Sequence, residues 1–371
     1  MPTGFPHFLS PDELTARRHA QVTAFLASRD LDPVWLSELM RERVGEGLLL
    51  LTSSPVHGLA NPTSDLDFIR IQEAPIDGPR ISTKIFEDGH HLEVVSFSEA
   101  ELASNLAELD RLADVAPEQT VAGFRAWDKQ REPRRKQTER IVNGIAMDGS
   151  APYLSSLPAL SRVWARAALQ TAVEQVAHTA LAEAAGETRG RLGYAYNVLL
   201  HLMDALLSHH GDVYTTRKWY VLRWTRLMAE GGWHDDRLQS VAAGLERLRK
   251  DAHTFLDPSR AGEPLAAPFT ELVIDAAQAT GIAQGVTVGV ELAGQVRAFL
   301  PGASVVLGAG AASGVVLPGF APDAELPFTG APVGLGELTG LDAPTAASLL
   351  RALRAGTARL RIGYADGEAG R

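Results

Sequence analysis

Residues 48–71, LLLLTSSPVHGLANPTSDLDFIRI, limit what this chain can fold into more than any other stretch. Gly47 to Thr52 precede a run of turn-forming residues and read as a buried strand, and Asp65 to Ile71 reads as a second. Alternate residues of a strand share a face, so Asp65 and Asp67 project together while Leu66 and Phe68 point to the core. Two carboxylates side by side repel unless a cation sits between them, and a hard divalent ion, magnesium above all, is the usual answer. The small residues Ser53 and Ser54 sit just after the first strand. A turn there leaves backbone N–H groups free to point at a phosphate, and Ser54 adds a hydroxyl donor. Further strands are expected at Arg80–Phe86 and His91–Phe97, the latter carrying Glu93 among apolar neighbours. If that strand lies beside the first two, three carboxylates share one end of a sheet, an arrangement suited to metal-dependent phosphoryl or nucleotidyl transfer.

The rest of the chain divides by pattern. Ser10-Pro11-Asp12-Glu13 starts a helix to about Ser28, Pro33 to Arg43 gives another, and Ser98 with Glu101 forms a capping box that opens a third. Between Tyr153 and Ala283 the period is helical almost throughout: Leu160–Ala185, Arg189–His209, Arg217–Glu230, Asp235–Ala252 and Pro268–Thr280, a helical bundle in the simplest reading. Residues 284–371 are glycine-rich. They carry short strands at Thr287–Leu292, Ala303–Leu307 and Gly314–Leu317, then a helix at Ala343–Arg354 and a strand at Ala358–Ile362, an order with a faint winged-helix character. The expectation is an α+β protein of three parts: a mixed-sheet domain over 1–148, a helical bundle over 149–283 and a small α+β domain over 284–371.

The Ser53-Ser54, ten residues, Asp65-Leu66-Asp67 pattern, with its preceding apolar strand and Glu93 on a later one, resembles the DNA polymerase β-like nucleotidyltransferases. Among these it is most similar to the small bacterial enzymes of the kanamycin nucleotidyltransferase kind, which join such a sheet domain to a helical one. The resemblance implies that Asp65, Asp67 and Glu93 are catalytic and hold Mg2+, with Glu93 joining the metal site or serving as general base. It also implies that Ser53 and Ser54 contact the triphosphate. One departure is plain: the family's glycine is Ser53 here, and if that position requires positive φ, serine strains the turn. Residues 210–223, HGDVYTTRKWYVLR, are similar to a segment in which a lysine before tryptophan meets the β- and γ-phosphates, which points to Lys218 before Trp219. The chain has only five lysines among 35 basic residues, so a lysine here stands out, and a compact ammonium suits a phosphate.

Other features exclude more than they suggest. There is no cysteine, hence no thiol chemistry, disulfide or iron–sulfur cluster. A net charge of −10 argues against a nucleic-acid binder. His90-His91 and His209-His210 lack a third ligand at zinc spacing. His57, in the loop, reads as a solvated histidine, and Arg131–Arg140 (REPRRKQTER) as a solvated basic linker face. GAGAASG at 308–314 precedes a strand-like run instead of a helix, so a glycine-rich hairpin is favoured over a dinucleotide site. Neither a secretory leader nor a membrane span is read, which makes cytoplasmic the default.

The expected activity is therefore magnesium-dependent transfer of a nucleoside monophosphate from a nucleoside triphosphate, ATP being the expected one, to a hydroxyl of a small molecule or peptide. The alternatives are AMPylation of a partner protein, as antitoxin-type members of the superfamily perform, and a binding or scaffold protein that keeps the fold without the chemistry.

Overall fold

The computed structural model describes residues 6–76, 82–127, 134–231, 233, 235–252, 263–292, 294–300, 303–308, 314–318 and 331–365. The ends of several expected features, residues 80–81, 131–133 and 309–313, lie outside them. The chain is an α+β protein of two compact units, residues 1–165 with 207–223 and residues 166–206 with 224–371.

In the first unit, α1 (Pro11–Ala27) and α2 (Pro33–Val44) precede β1 (Leu48–Leu51), β2 (Leu66–Gln72), β3 (Thr83–Glu87) and β4 (His90–Ser98). There follow α3 (Glu99–Asp114), α4 (Pro117–Trp127), α5 (Arg134–Asn143) and β5 (Ile145–Ala146). Helices start where the sequence caps them: Ser10 with Glu13 and Ser98 with Glu101 both form complete capping boxes. The five strands run in the order β3-β4-β2-β1-β5. β2 and β4 are parallel and the other pairs antiparallel.

The period of two sorts this sheet's residues. Leu66, Phe68, Leu92, Val94 and Leu51 enter one core with Phe25, Leu26, Leu36 and Met40 of α1 and α2. On the opposite face, Ile69, Ile71, Val95 and Phe97 pack with Leu102 of α3 and Ile141 of α5. That second face also carries Asp67 and Glu93, at the end of the strands that the apolar cluster does not reach. A strand face that is apolar for half its length and acidic for the rest is how this sheet presents polar groups without breaking its core.

Two readings of the sequence are corrected here. The stretch read as a solvated basic linker is α5, whose Gln137, Thr138, Glu139, Ile141, Val142 and Asn143 are all buried. His57, read as solvated, has a side chain only 6% exposed.

The second unit takes the 166–184 part of α6 (Leu157–Ala184) and the 188–206 part of α7 (Thr188–His209). It also takes most of α8 (Tyr220–Glu230), together with α9 (Asp236–Lys250) and α10 (Ala266–Ala279). Its strands are β6 (Gly285–Leu292), β7 (Gly294–Leu300), β8 (Ala303–Gly308), β9 (Gly314–Pro318), β10 (Val333–Gly334) and β11 (Ala358–Ala365), with α11 (Ala343–Arg354) before the last. They form two three-stranded antiparallel sheets, β10-β6-β11 and β7-β8-β9. Leu349 and Leu350 of α11 pack with Val290 and Ala358 of the first of these and with Leu181 of α6. No helix among the described residues is long and apolar enough to cross a membrane.

α8 and α9 are tied by one polar contact. Trp224, fully buried, donates its indole N–H to Glu246 Oε2 at 2.9 Å, and Arg249 grips the same carboxylate with two bonds of 2.7 and 2.8 Å. The Arg249 bond leads in holding the Glu246 carboxyl down from its ordinary value near 4.5 to about 2, against the opposing effect of burial. A depressed carboxyl stabilises the fold above its unfolded value and loses that contribution as pH falls through the folded one. Glu246→Gln is therefore expected to lower unfolding stability by about 1–2 kcal/mol at neutral pH. Urea titrations of both proteins should show the difference shrinking as pH drops from about 5 towards 2.

Candidate active site

The site begins with a stitch between the first two strands. Thr52, the residue after β1, donates both its N–H and its hydroxyl to the Asp67 carbonyl, at 2.9 and 3.0 Å. This holds the following turn against the acidic end of β2. Ser53 then takes φ of 65°, the left-handed region that costs a residue with a Cβ about 1–2 kcal/mol. The serine standing in the glycine position is thus strained in the way the sequence anticipates. It is 4% exposed, and its hydroxyl has no hydrogen-bond partner among the described residues. The N–H groups of Ser53 and Ser54 also meet no acceptor there, while the Ser54 carbonyl accepts from Leu59 N–H at 2.8 Å and closes the loop. Gly58 completes it with φ of 60°, where a Cβ would lie 2.7 Å from the Gln21 side chain. The result is a compact turn with unused donors, the arrangement that receives anions.

Beside the turn, Asp67 and Glu93 are register partners across parallel β2 and β4. Lys84 of β3 is paired with Glu93 from the other side. Ser82 donates its hydroxyl to Glu93 Oε1 at 2.7 Å. Asp67 Oδ2 accepts from Arg140 Nη2 at 3.1 Å, with side chains 17% and 11% exposed. Asp65 lies just before β2 and is more open, its Oδ1 2.9 Å from His91 Nδ1. The His91 ring in turn stacks on Phe86, centroids 4.7 Å apart. The structure thus sets Asp67 and Glu93 next to each other, with Asp65 two residues before Asp67 and outside the strand. Among the described residues no group of three or more His, Cys, Asp or Glu side chains is placed to hold a metal ion.

A buried polar network lies behind this pair, and the sequence reading missed it. Glu139 of α5 is fully buried. It accepts from Asn143 Nδ2 at 3.0 Å and from Thr215 Oγ1 at 3.3 Å, and its Oε1 lies 3.6 Å from His57 Nε2. His57 Nδ1 lies 3.7 Å from Asp212, and its ring stacks on Tyr214 at 4.5 Å. Asp212 is also held by Arg223 Nε at 3.1 Å. Burial works to raise the Asp212 carboxyl, but Arg223 and His57 overcome it and hold the group far below the usual carboxylate range. Arg18 of α1, 4% exposed, donates to Asn143 Oδ1 at 2.6 Å. Burial pulls its guanidinium down to about 10, against the pull of Asp212 and Glu139. Tyr214 and Lys136 sense both networks. Burial chiefly raises the phenol, with Glu139 and Asp67 adding to it. Burial and Arg140 lower the Lys136 ammonium while Asp67 and Glu93 pull it back up. A hint of this was legible, since a basic run that also contains Gln137, Thr138 and Glu139 before Ile141 and Val142 is too mixed for a plain solvated face.

Lys218 lies on a 3-10 turn, Arg217–Trp219. It is exposed, and its ammonium sits 5.0 Å from the centre of the Trp219 ring. It belongs to the same unit as the carboxylates, but it makes no ion pair with them. Beside the acidic pair stand Arg140 and Lys136 of α5, with Lys84 of β3 in register with Glu93.

The donor set can be tested against magnesium. Mg2+ keeps several waters and is commonly held by one or two carboxylates together with substrate phosphates, not by an all-protein cage. Two adjacent carboxylates with an anion-binding turn beside them fit an ion that arrives with a triphosphate. They do not fit one resident in the protein alone.

A family of unknown function, DUF6001, matches residues 9–365. None of the curated proteins matches the chain. Among solved structures, a nucleotidyltransferase-like protein from Exiguobacterium sibiricum 255-15 is similar over 66% of this chain and 78% of that one, with 12% identity and a TM-score of 0.30, a likeness too distant to assign an activity.

The strain at Ser53 has a measurable consequence. Ser53→Gly relieves the backbone and Ser53→Ala does not, so the glycine variant is expected to be more stable than the alanine variant by about 1 kcal/mol. Urea midpoints compare them. Equal stability of the two variants would remove backbone strain from this account.

Proposed function

The chain belongs to the DUF6001 family, and we propose that it is a nucleotidyltransferase. It would bind a nucleoside triphosphate, ATP in the first instance, and pass the nucleoside monophosphate to a hydroxyl of a small-molecule or peptide acceptor. The observation that carries this reading is the pair of hydrogen bonds that Thr52 donates to the Asp67 carbonyl. It sets a turn with free amides directly beside two register-paired carboxylates. Such a juxtaposition serves an anionic ligand and a developing charge at one point in space.

On this reading the amides of Ser53 and Ser54 and the orphaned Ser53 hydroxyl receive phosphate oxygens. Asp67 and Glu93, with Asp65 beside them, are the residues that would hold Mg2+, which when bound neutralises phosphate charge and acidifies the acceptor hydroxyl. Glu93, oriented by the Ser82 hydroxyl, takes the proton of the acceptor hydroxyl. The freed oxygen forms a bond to the α-phosphorus as the bond to the bridging oxygen of the β-phosphate breaks, and pyrophosphate leaves. Lys136 and Arg140 offset phosphate charge from the α5 side. Lys218 keeps the outer phosphate role only on the strength of the sequence resemblance. Most of the rate comes from positioning and charge neutralisation, as in phosphoryl transfer generally.

A second reading, nucleotide binding without transfer, is favoured by one observation: Asp67 already has a cationic partner in Arg140. Melting curves with each of the four nucleoside triphosphates and magnesium test binding. Stabilisation of about 2–3 kcal/mol is expected at a hundredfold excess over the dissociation constant, and no response to any of them overturns both readings. Pyrophosphate release in the presence of hydroxyl acceptors then tests transfer, with Asp67→Asn expected to reduce it by about 100-fold or more. Undiminished release in that variant rejects the assignment. Intact-mass spectra of candidate protein acceptors after incubation with ATP separate protein AMPylation from small-molecule transfer.

A further inference from the structure

Arg140 sits where a metal ion on Asp67 would meet a cation of the protein itself. Its Nη2 sits 3.1 Å from Asp67 Oδ2 in a pocket where both side chains are largely shielded from water, so the attraction is weakly screened. Yet the pairing is incomplete. A guanidinium meets a carboxylate best through two parallel bonds, and here a single nitrogen reaches Asp67 while Nε is buried without a partner among the described residues. Ile141, the next residue, is locked in the apolar cluster under the sheet, which anchors the helix behind Arg140. Lys136 lies one turn earlier on the same face of α5 and feels both Asp67 and Glu93. A second cation therefore remains if Arg140 leaves.

Resting on the nucleotide-transfer reading above, we propose that Arg140 is a positioning residue that closes the acidic pair while no nucleotide is bound. A triphosphate draws the guanidinium onto its own oxygens, frees Asp67, and so admits a divalent ion only together with the nucleotide. The physical reason is exclusion. A doubly charged ion on Asp67 would stand against the guanidinium already held on Oδ2, and in a weakly screened site the two cations repel across the carboxylate. Phosphate oxygens are the natural competitor for the guanidinium, since they satisfy several of its donors at once, including the orphaned Nε. The order of binding then follows from the fold: triphosphate first or with its metal, never metal alone.

The experiment uses Mn2+ alone as the probe, with free Mn2+ followed by electron paramagnetic resonance on the full chain. The wild-type protein is expected to bind Mn2+ alone at least about tenfold more weakly than Arg140→Gln. Arg140→Lys, which keeps the charge, is expected to resemble the wild type, and adding Asp67→Asn to Arg140→Gln should abolish the gain. In the wild type, a non-hydrolysable α,β-methylene triphosphate should bring Mn2+ affinity up to or beyond that of Arg140→Gln. Equal affinity of wild type and a folded Arg140→Gln for Mn2+ alone overturns the block. So does tight binding of Mn2+ alone by the wild type that is lost in Asp67→Asn, a result that needs no Arg140 variant to fold. A gain in Arg140→Gln without any nucleotide effect in the wild type overturns the nucleotide-transfer reading and the release step, and supports the block itself.

Discussion

A carboxylate cannot be buried alone, and the fully buried Glu139 organises everything around the site in this chain. Its oxygens are satisfied by Asn143 one turn later, by Thr215 from the segment after α7, and by the approach of His57 from the turn after β1. Three stretches far apart in sequence are thereby obliged to meet. Removing one partner would strand charge in the interior, which is costlier than the net value of any of these bonds. The network therefore specifies a position for the 53–59 turn more sharply than apolar packing would, because packing tolerates sliding and directional bonds do not. The 53–59 turn is fixed from two sides, by Thr52 on β2 and by His57 on α5 and Asp212.

The same economy of placement shapes the sheet. A face that is apolar under α3 and α5 and acidic beyond them lets one helix do two things: Ile141 seals the core while Arg140, its neighbour, meets Asp67. One of the strained backbone positions lies beside the acidic pair. Ser53 holds an unfavourable backbone and an unpaired hydroxyl within one residue, and such features persist only where surrounding structure over-determines them. Thr52 on one side and the closed loop to Leu59 on the other supply that constraint.

Much of this could be read in the amino-acid order, and the part that could not has a physical cause. Strands at 48–51 and 66–72, and Asp67 on the face opposite Leu66 and Phe68, follow from a period of two, which needs only local sequence. The capping boxes at Ser10 and Ser98 are equally local. The register of Asp67 against Glu93 depended on β4 lying beside β2, which spacing suggests but does not force. His57, Glu139, Asp212 and Arg18 were illegible because their burial is cooperative: each polar residue is hidden only because the others are, and taken singly each reads as a surface group. α5 escaped recognition for the same reason, since a helix that buries Gln137, Thr138 and Glu139 has no apolar stripe to announce it. The strand β5 at Ile145–Ala146 is too short for any periodicity to register.

Charge balance gives the last constraint. The site and the network behind it hold Asp65, Asp67, Glu93, Glu139 and Asp212 against Arg18, Lys84, Lys136, Arg140 and Arg223, five acids to five bases, so the excess of ten negative charges over the whole chain lies elsewhere. A site already neutral has no electrostatic demand for a divalent ion. A triphosphate changes that demand, because it brings several negative charges into a region where the bases are already committed. On the proposed reading the need for magnesium thus arises with the substrate, and Arg140, the base most easily redirected, is the residue through which the change in balance is first felt.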